Sequence, residues 1–297
     1  MKVFRIGWLV VCAAAVLLYG WYRIEERRTL DTAGPMISFE EEELTVSIRD
    51  EEDALLRGVT AMDAKDGDVS DSLAVESISH FFTDKTRQVT YVAFDGDNHV
   101  TRKQRKIRYR DYNPPRFLLK RSVRIPAGES VNLTNMVEAY DCLDGDITGK
   151  LRVTAQEDYS SYTTGSYEVE FQVTNSAGDT SYLPLTLQVY DSLTIEARML
   201  LSEYLVYYEG RPLDYLSRIQ GVYAGGRQIL FGQENTSEEG TNVSSAGKVL
   251  REETLEELVK VDDSAVNTAV PGIYPVYLTY KDEDYQGLEE ILVVVEE

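Results

Sequence analysis

The sequence predicts an all-β protein, with tandem β-sandwich domains behind one apolar segment at the N-terminus. Three observations predict it. The phrase Asp-x-x-Asp-Gly-Asp plus a β-branched residue occurs twice, 78 positions apart. Segments of alternating apolar and polar residues follow each copy, as in sheets with one buried face. No long amphipathic helix pattern interrupts them.

Composition agrees. The 297 residues have room for two or three domains. Twenty Tyr against eight Phe, with many Val and Thr, favours strands. Fifty-one acidic and 30 basic residues give a net charge of −21. A nucleic-acid binder needs the reverse, a basic footprint on the phosphates, so nucleic acid is not an expected partner. Cys12 lies in the apolar segment and is not expected to pair with Cys142. Large domains without internal disulfides fit a bacterial surface protein.

The apolar segment runs from Ile6 to Tyr22 without a charge, near the lower limit for a helix crossing a ~30 Å hydrocarbon layer. Val3 and Phe4 extend it past Arg5, whose side chain can snorkel. Trp8, Tyr19, Trp21 and Tyr22 stand near its ends, as an interfacial aromatic belt does. A cleaved signal peptide is the competing reading, but no small-x-small site follows; "GWYRIEERR" is bulky and charged. The expectation is an uncleaved anchor: residues 1–28 form a short cytoplasmic end and a single-pass transmembrane helix, with membrane contact through 3–22. The charges flanking the segment nearly balance, so orientation rests on the downstream domains, and the C-terminal part is expected to be extracellular.

The two phrases align residue by residue. Asp63, Asp66, Gly67 and Asp68 match Asp141, Asp144, Gly145 and Asp146; Leu73 and Val75 match Leu151 and Val153. Further on, Val89, Tyr91 and Ala93 match Val169, Phe171 and Val173 at an offset of 80, so the second copy holds two extra residues in "YSSYTTGS". An insertion confined to a turn-rich stretch is what two copies of one fold show. Domains are therefore expected at 35–112 and 113–191, separated at Asn113 to Pro115. A third, divergent domain is expected at 192–297, with a polar loop near 232–247. It lacks the Asp-Gly-Asp phrase, but its end, "PGIYPVYLTYKDEDYQGLEEILVVVEE", repeats the strand–hairpin–strand grammar. "REETLEELVK" is expected to form a short helix.

The segments "GVTAMDAKDGDVSDSLAV" and "AYDCLDGDITGKLRV", each followed by an alternating strand and "FDGDNHV" or "TNSAGDT", resemble the Ig-like repeats of bacterial surface proteins. This group is often described as similar to the Ig-like part of a pesticidal crystal protein. The resemblance covers residues 36–191 and only the last two strands of the third segment. It implies an Ig-like sandwich and is poor for function, since such repeats serve as stalks, spacers and adhesive modules alike.

Two features carry candidate chemistry. Asp63, Asp66 and Asp68, with Asp141, Asp144 and Asp146, supply carboxylates of the kind calcium takes. The spacing is not that of an EF-hand, and the place of its closing Glu falls on Ala74 and Arg152. The preferred reading is a turn, in which Asp caps local amides and Gly takes positive φ; calcium is the possible cofactor. The second feature is "TRKQRKIRYR", where Arg102, Lys106, Arg108 and Arg110 share an outer face opposite Ile107 and Tyr109. A polyanion site for wall polymer or lipid headgroups is one reading. Pairing with the acidic run Glu40 to Glu43 is the preferred one.

Catalysis finds little support. His80 and His99 stand at no metal-ligand spacing, and no nucleophile elbow, phosphate loop or zinc signature occurs. The expectation is a non-enzymatic, membrane-anchored surface protein, a stalk or adhesive module whose partner is a cell-wall polymer, glycan or surface protein. The alternatives are a subunit of an envelope assembly and, further off, a polysaccharide-processing enzyme.

Overall fold

The computed structural model describes residues 12–23, 33–156, 159–191, 197–225, 227–230 and 252–296. The chain is all-β with few helices and divides into two compact units, Met1–Tyr112 and Asn113–Glu297. The first contains helix α1 (residues 12–23). No helix among the described residues is long and apolar enough to cross a membrane. Residues 3–11 of the expected anchor lie outside the described residues.

The rest of the first unit is a seven-stranded sandwich: β1 (Met36–Phe39), β2 (Glu43–Val46), β3 (Val59–Asp63), β4 (Gly67–Asp68), β5 (Ala74–Ile78), β6 (Thr86–Phe94) and β7 (Val100–Tyr109). One sheet has the order β1-β3-β4 and the other β2-β7-β6-β5. The opening strand is split between them. Its first half pairs antiparallel with β3, and its second half crosses over to pair parallel with β7. Period-two alternation sends Val89, Tyr91, Ala93 and Ile107 into the core, facing Ile37, Val59 and Ala61 of the other sheet.

The second unit holds the same arrangement twice. Its first half comprises β8 (Arg116–Leu119), β9 (Arg124–Pro126), β10 (Val137–Asp141), β11 (Gly145–Asp146), β12 (Arg152–Gln156), β13 (Gly165–Thr174) and β14 (Thr180–Tyr190). The sheets are β8-β10-β11 and β9-β14-β13-β12, with β9 parallel to β14. Leu183, Leu185, Leu187 and Val189 are all buried, as their alternation predicts. A register shift at Val153/Ala155 repeats the one at Val75/Ser77, so the second copy inherits the bulge of the first.

The remainder forms β15 (Arg198–Leu201), β16 (Leu205–Tyr207), β17 (Ile219–Ala224), β18 (Arg227–Leu230), helix α2 (Glu252–Leu258), β19 (Val259–Asp262), β20 (Gly272–Lys281) and β21 (Gln286–Val295). The sheets are β15-β17-β18 and β16-β21-β20-β19, with β16 parallel to β21. The topology is thus the same, although no Asp-Gly-Asp phrase is present. The short helix falls within "REETLEELVK"; the polar loop near 232–247 lies outside the described residues. Gly287 is required by close packing, because a Cβ there would lie 1.9 Å from the Ala197 carbonyl oxygen.

The crossing of the opening strand is fastened alike in all three copies. The amide after its first half donates to the carbonyl of the residue directly before β3, β10 or β17: Glu40 N to Gly58 O (2.9 Å), Lys120 N to Met136 O (2.8 Å) and Ser202 N to Arg218 O (2.8 Å).

Strand β21 is buried on both faces. Ile291, Val293 and Val295 point into the third sandwich, whereas Leu292 joins the core cluster of the second, with Leu205 beside it and Val294 and Ile273 packed against it. An uninterrupted run "ILVVV" is what two-sided burial demands of a strand. The expected boundary at 191/192 therefore separates two sandwiches that share an apolar cluster. Leu292→Ala is expected to cost about 2–4 kcal/mol and to lower the melting of both sandwiches of this unit. Calorimetry of the full chain checks it; a loss confined to the third sandwich contradicts the shared cluster.

Candidate functional site

The Asp-Gly-Asp phrases build turns at one end of the first two sandwiches. Asp63 Oδ1 accepts from Lys65 N (2.7 Å) and Asp66 N (2.9 Å), and Asp141 Oδ1 accepts from Leu143 N (2.9 Å) and Asp144 N (3.0 Å). Asp68 and Asp146 each accept from the amide two residues on, that of Ser70 (3.0 Å) and Thr148 (2.9 Å). Gly67 and Gly145 sit at φ +77° and +72°, the left-handed region that a side chain disfavours. Asp66 and Asp144 reach across to the facing hairpin: Asp66 Oδ2 accepts from Gly96 N (2.7 Å), and Asp144 Oδ2 from Ser176 N (2.7 Å) and Lys150 Nζ (2.9 Å).

These bonds hold the carboxyls of Asp63, Asp68, Asp144 and Asp146 below the usual carboxylate range. The causes are the amides of Asp66 and Lys65 for Asp63, Ser70 for Asp68, Ser176 and Lys150 for Asp144, and Thr148 for Asp146. Their support for the fold is present above the ordinary carboxyl pKa and is lost as pH falls through the depressed values. Among the described residues, no group of three or more His, Cys, Asp and Glu side chains is placed to hold a metal ion.

The facing hairpins carry a residue that sequence reading did not single out. Asp95, Asn175 and Asp282 occupy the same place, directly after β6, β13 and β20. Each side-chain Oδ1 collects one or two amides of its own turn: Asp97 N and His99 N for Asp95, Asp179 N for Asn175, and Asp284 N and Tyr285 N for Asp282. The second oxygen or nitrogen must also be satisfied, and the copies differ in how. In the second, Asn175 Nδ2 donates to Asp141 Oδ2 (3.0 Å). In the third, Tyr280 OH donates to Asp282 Oδ2 (2.7 Å). In the first, both partners are carboxylates. Asp95 Oδ2 takes the His99 ring (Nδ1, 2.7 Å), and Asp63 Oδ2 is buried without a partner, in a residue only 6 % exposed. Burial alone would push the Asp95 carboxyl up, but the amide and ring of His99 outweigh it and hold it low. The signal available in the sequence was the repeated Asp/Asn opening each hairpin.

The basic strand is largely neutralised. Arg102 pairs with Glu76 (2.7 Å), Lys106 with Asp84 (3.6 Å) and Arg108 with Glu43 (2.9 Å); Arg110 follows β7, and its amide donates to Val46 O. Of the acidic run Glu40 to Glu43, the pairing thus draws on Glu43. Such exposed pairs contribute at most about 1 kcal/mol each. Arg105 was not singled out, yet it shares the inward face with Ile107. It is buried, donates to Arg57 O (2.8 Å) and lies over Phe39.

The junction of the second and third sandwiches brings together several buried polar and charged groups. Phe117 N donates to Tyr207 OH (2.8 Å), and Arg116 pairs with Glu296. Glu129 bridges Arg121 (2.6 Å) and Arg198 (2.8 Å). Glu289, only 6 % exposed, accepts from Ser122 Oγ. Burial pushes its carboxyl up to about 7, against the pull of Ser122, Arg124 and Arg198. Burial also raises Glu290, whose Oε2 has no hydrogen-bond partner.

No family model matches the chain. A 59-residue stretch is 48% identical to an uncharacterized 81.3 kDa protein of Acholeplasma phage L2, covering 20% of this chain and 8% of that protein. Among solved structures, the M60 catalytic domain of Clostridium perfringens ZmpB with its CBM51-1 and CBM51-2 domains is similar at TM-score 0.24 and 12% identity, over 90% of this chain and 45% of that one. Human CDH23 EC21-23 is similar at TM-score 0.22 and 12% identity, over 88% of this chain and 100% of that one. Drosophila N-cadherin EC1-4 is similar at TM-score 0.23 and 13% identity, over 90% and 76%. The chain spans less than half of the ZmpB structure and a small fraction of the phage protein. The sandwich assignment rests on the sheet topology.

Two outcomes are expected. Asp95→Asn gives the first copy the donor that Asn175 supplies in the second, so it should raise the melting midpoint of the first sandwich by a few degrees; thermal scans at neutral pH check it. Millimolar calcium should leave the melting of the first two sandwiches unchanged; a calcium-dependent rise abolished by Asp66→Ala with Asp144→Ala would overturn the turn reading.

Proposed function

We propose that the protein is a non-enzymatic bacterial surface module, a stalk or adhesive element held at the cell membrane by its N-terminal segment. The observation that carries this reading is the repetition of one sandwich topology three times, with the second and third copies joined by a buried apolar and ionic junction. Repeating a domain extends or multiplies a surface, and burying the junction stiffens a pair that a flexible linker would leave free. The uncharged, aromatic-bordered run Ile6 to Tyr22 supports the anchoring, with residues 1–28 retained, and the Ig-like grammar of the domains behind it favours their extracellular placement. The Ig-like grammar of residues 36–191 supports kinship with bacterial surface repeats. A cell-wall polymer, glycan or surface protein is the class of partner such a module would present itself to.

The membrane fraction decides the first part. The chain should resist alkaline extraction, keep residues 1–28 by mass measurement, and lose its sandwiches to protease added to intact cells. A soluble product with a mature N-terminus between Tyr22 and Thr32 would sink the anchored reading. Crosslinking in the same cells addresses the second part. Recovery with a wall polymer or surface glycan supports the stalk or adhesive reading, and stoichiometric recovery with a membrane complex favours an assembly subunit instead.

A further inference from the structure

The junction inside the second unit has a chemistry that a purely structural seam does not need. Glu289 stands on β21 at the end of the third sandwich and meets Ser122, in the crossover between β8 and β9 of the second. Its Oε1 accepts from Ser122 Oγ and from Glu290 N (3.1 Å). The charged and titratable groups around it are Arg124 beside Ser122, Arg121 of the same crossover, Arg198 on β15, Tyr204 before β16, and Glu290 on its own strand. Two of the arginines are committed to another carboxylate, and the third, Arg124, acts on Glu289 and Glu290 alike without pairing with either. Arg121 and Arg198 grip Glu129 from both sides, and Arg124 lies over the Tyr190 ring at 5.1 Å and faces Glu290. Among the described ion pairs, Glu289 takes part in none. Arg124 and Arg198 attract its charge without forming an ion pair with it, and burial outweighs them; the neutral acid avoids that burial cost and still accepts from Ser122 Oγ and Glu290 N through Oε1.

We propose that this junction is a proton-operated latch: Glu289 takes up one proton from solvent when the second and third sandwiches seat, and its ionisation loosens the seat. The sign follows from the raised carboxyl. Seating is fully supported below the ordinary Glu value, near 4.5, and the support is lost as pH rises toward about 7. The latch lies between two modules of the proposed stalk, so it would set the stiffness of the stalk according to external pH. The inference stands on the junction and not on the membrane or adhesive reading.

Hydrogen–deuterium exchange of the full chain in detergent tests it, after correction for the intrinsic pH dependence of exchange. The Phe117 amide, bonded across the junction to Tyr207, is the reporter. It should exchange at least about tenfold faster at pH 8 than at pH 5. Glu289→Gln should abolish that difference, and Glu290→Gln should retain it. A pH-independent Phe117 amide in the parent chain overturns the latch whatever the variants do. Loss of the response in Glu290→Gln alone would move the proton to Glu290 and overturn the assignment to Glu289.

Discussion

The crossing of the opening strand is the constraint on which each sandwich depends. The opening strand is tied to both sheets; confined to one, it would leave the last strand with an unpaired edge. Here the break after Phe39, Leu119 and Leu201 lets the chain change sheets, and the second half of the strand covers the edge of β7, β14 and β21. The parallel pairing joins residues far apart in sequence, Leu44 with Ile107 in the first copy. Everything else hangs on that closure, including which carboxylates meet at the ends.

At one end of each copy, closure brings a hairpin Asp or Asn against the body of the sandwich, and the protein satisfies the enclosed polar atoms in three ways. An amide–carboxylate bond serves the second copy and a tyrosine hydroxyl the third. The first places two carboxylates together beside an imidazole and leaves one oxygen orphaned. A buried polar atom costs most when one partner has been lost and the other retained. The first copy is therefore the one whose end is least settled, and its difference from the second comes down to the exchange of one amide for a carboxyl.

The junction follows a related logic at larger scale. Apolar contact supplies the seat, through Leu205, Leu292, Val294 and Ile273, while the ionic groups around it set its conditions. Glu129 holds Arg121 and Arg198 in ion pairs, and the pull of Arg124 and Arg198 on Glu289 is weaker than the cost of its burial. The same arrangement that fixes the two sandwiches together makes their association sensitive to protons.

The sequence by itself determined the all-β class and the inward faces. Alternation at Val89, Tyr91, Ala93 and at Leu183, Leu185, Leu187, Val189 depends on the two-residue period of a strand, which is local. It also determined the Asp-Gly-Asp turns, because an Asp two or three residues from the amides it caps needs no distant partner. The resemblance to Ig-like repeats was legible for the same reason. What only the tertiary structure decided was long-range. The leading strands of the third copy, β15 to β19, repeat the topology where no phrase announces it, the basic strand finds Glu76 and Asp84 beside the Glu43 that the acidic run offered, and Arg105 turns inward over Phe39. The pairing of Asp63 with Asp95 and the enclosure of Glu289 by Ser122 join residues tens to more than a hundred positions apart. No local period records such meetings, because they are set by how strands close on one another and by which faces two sandwiches present at their seam.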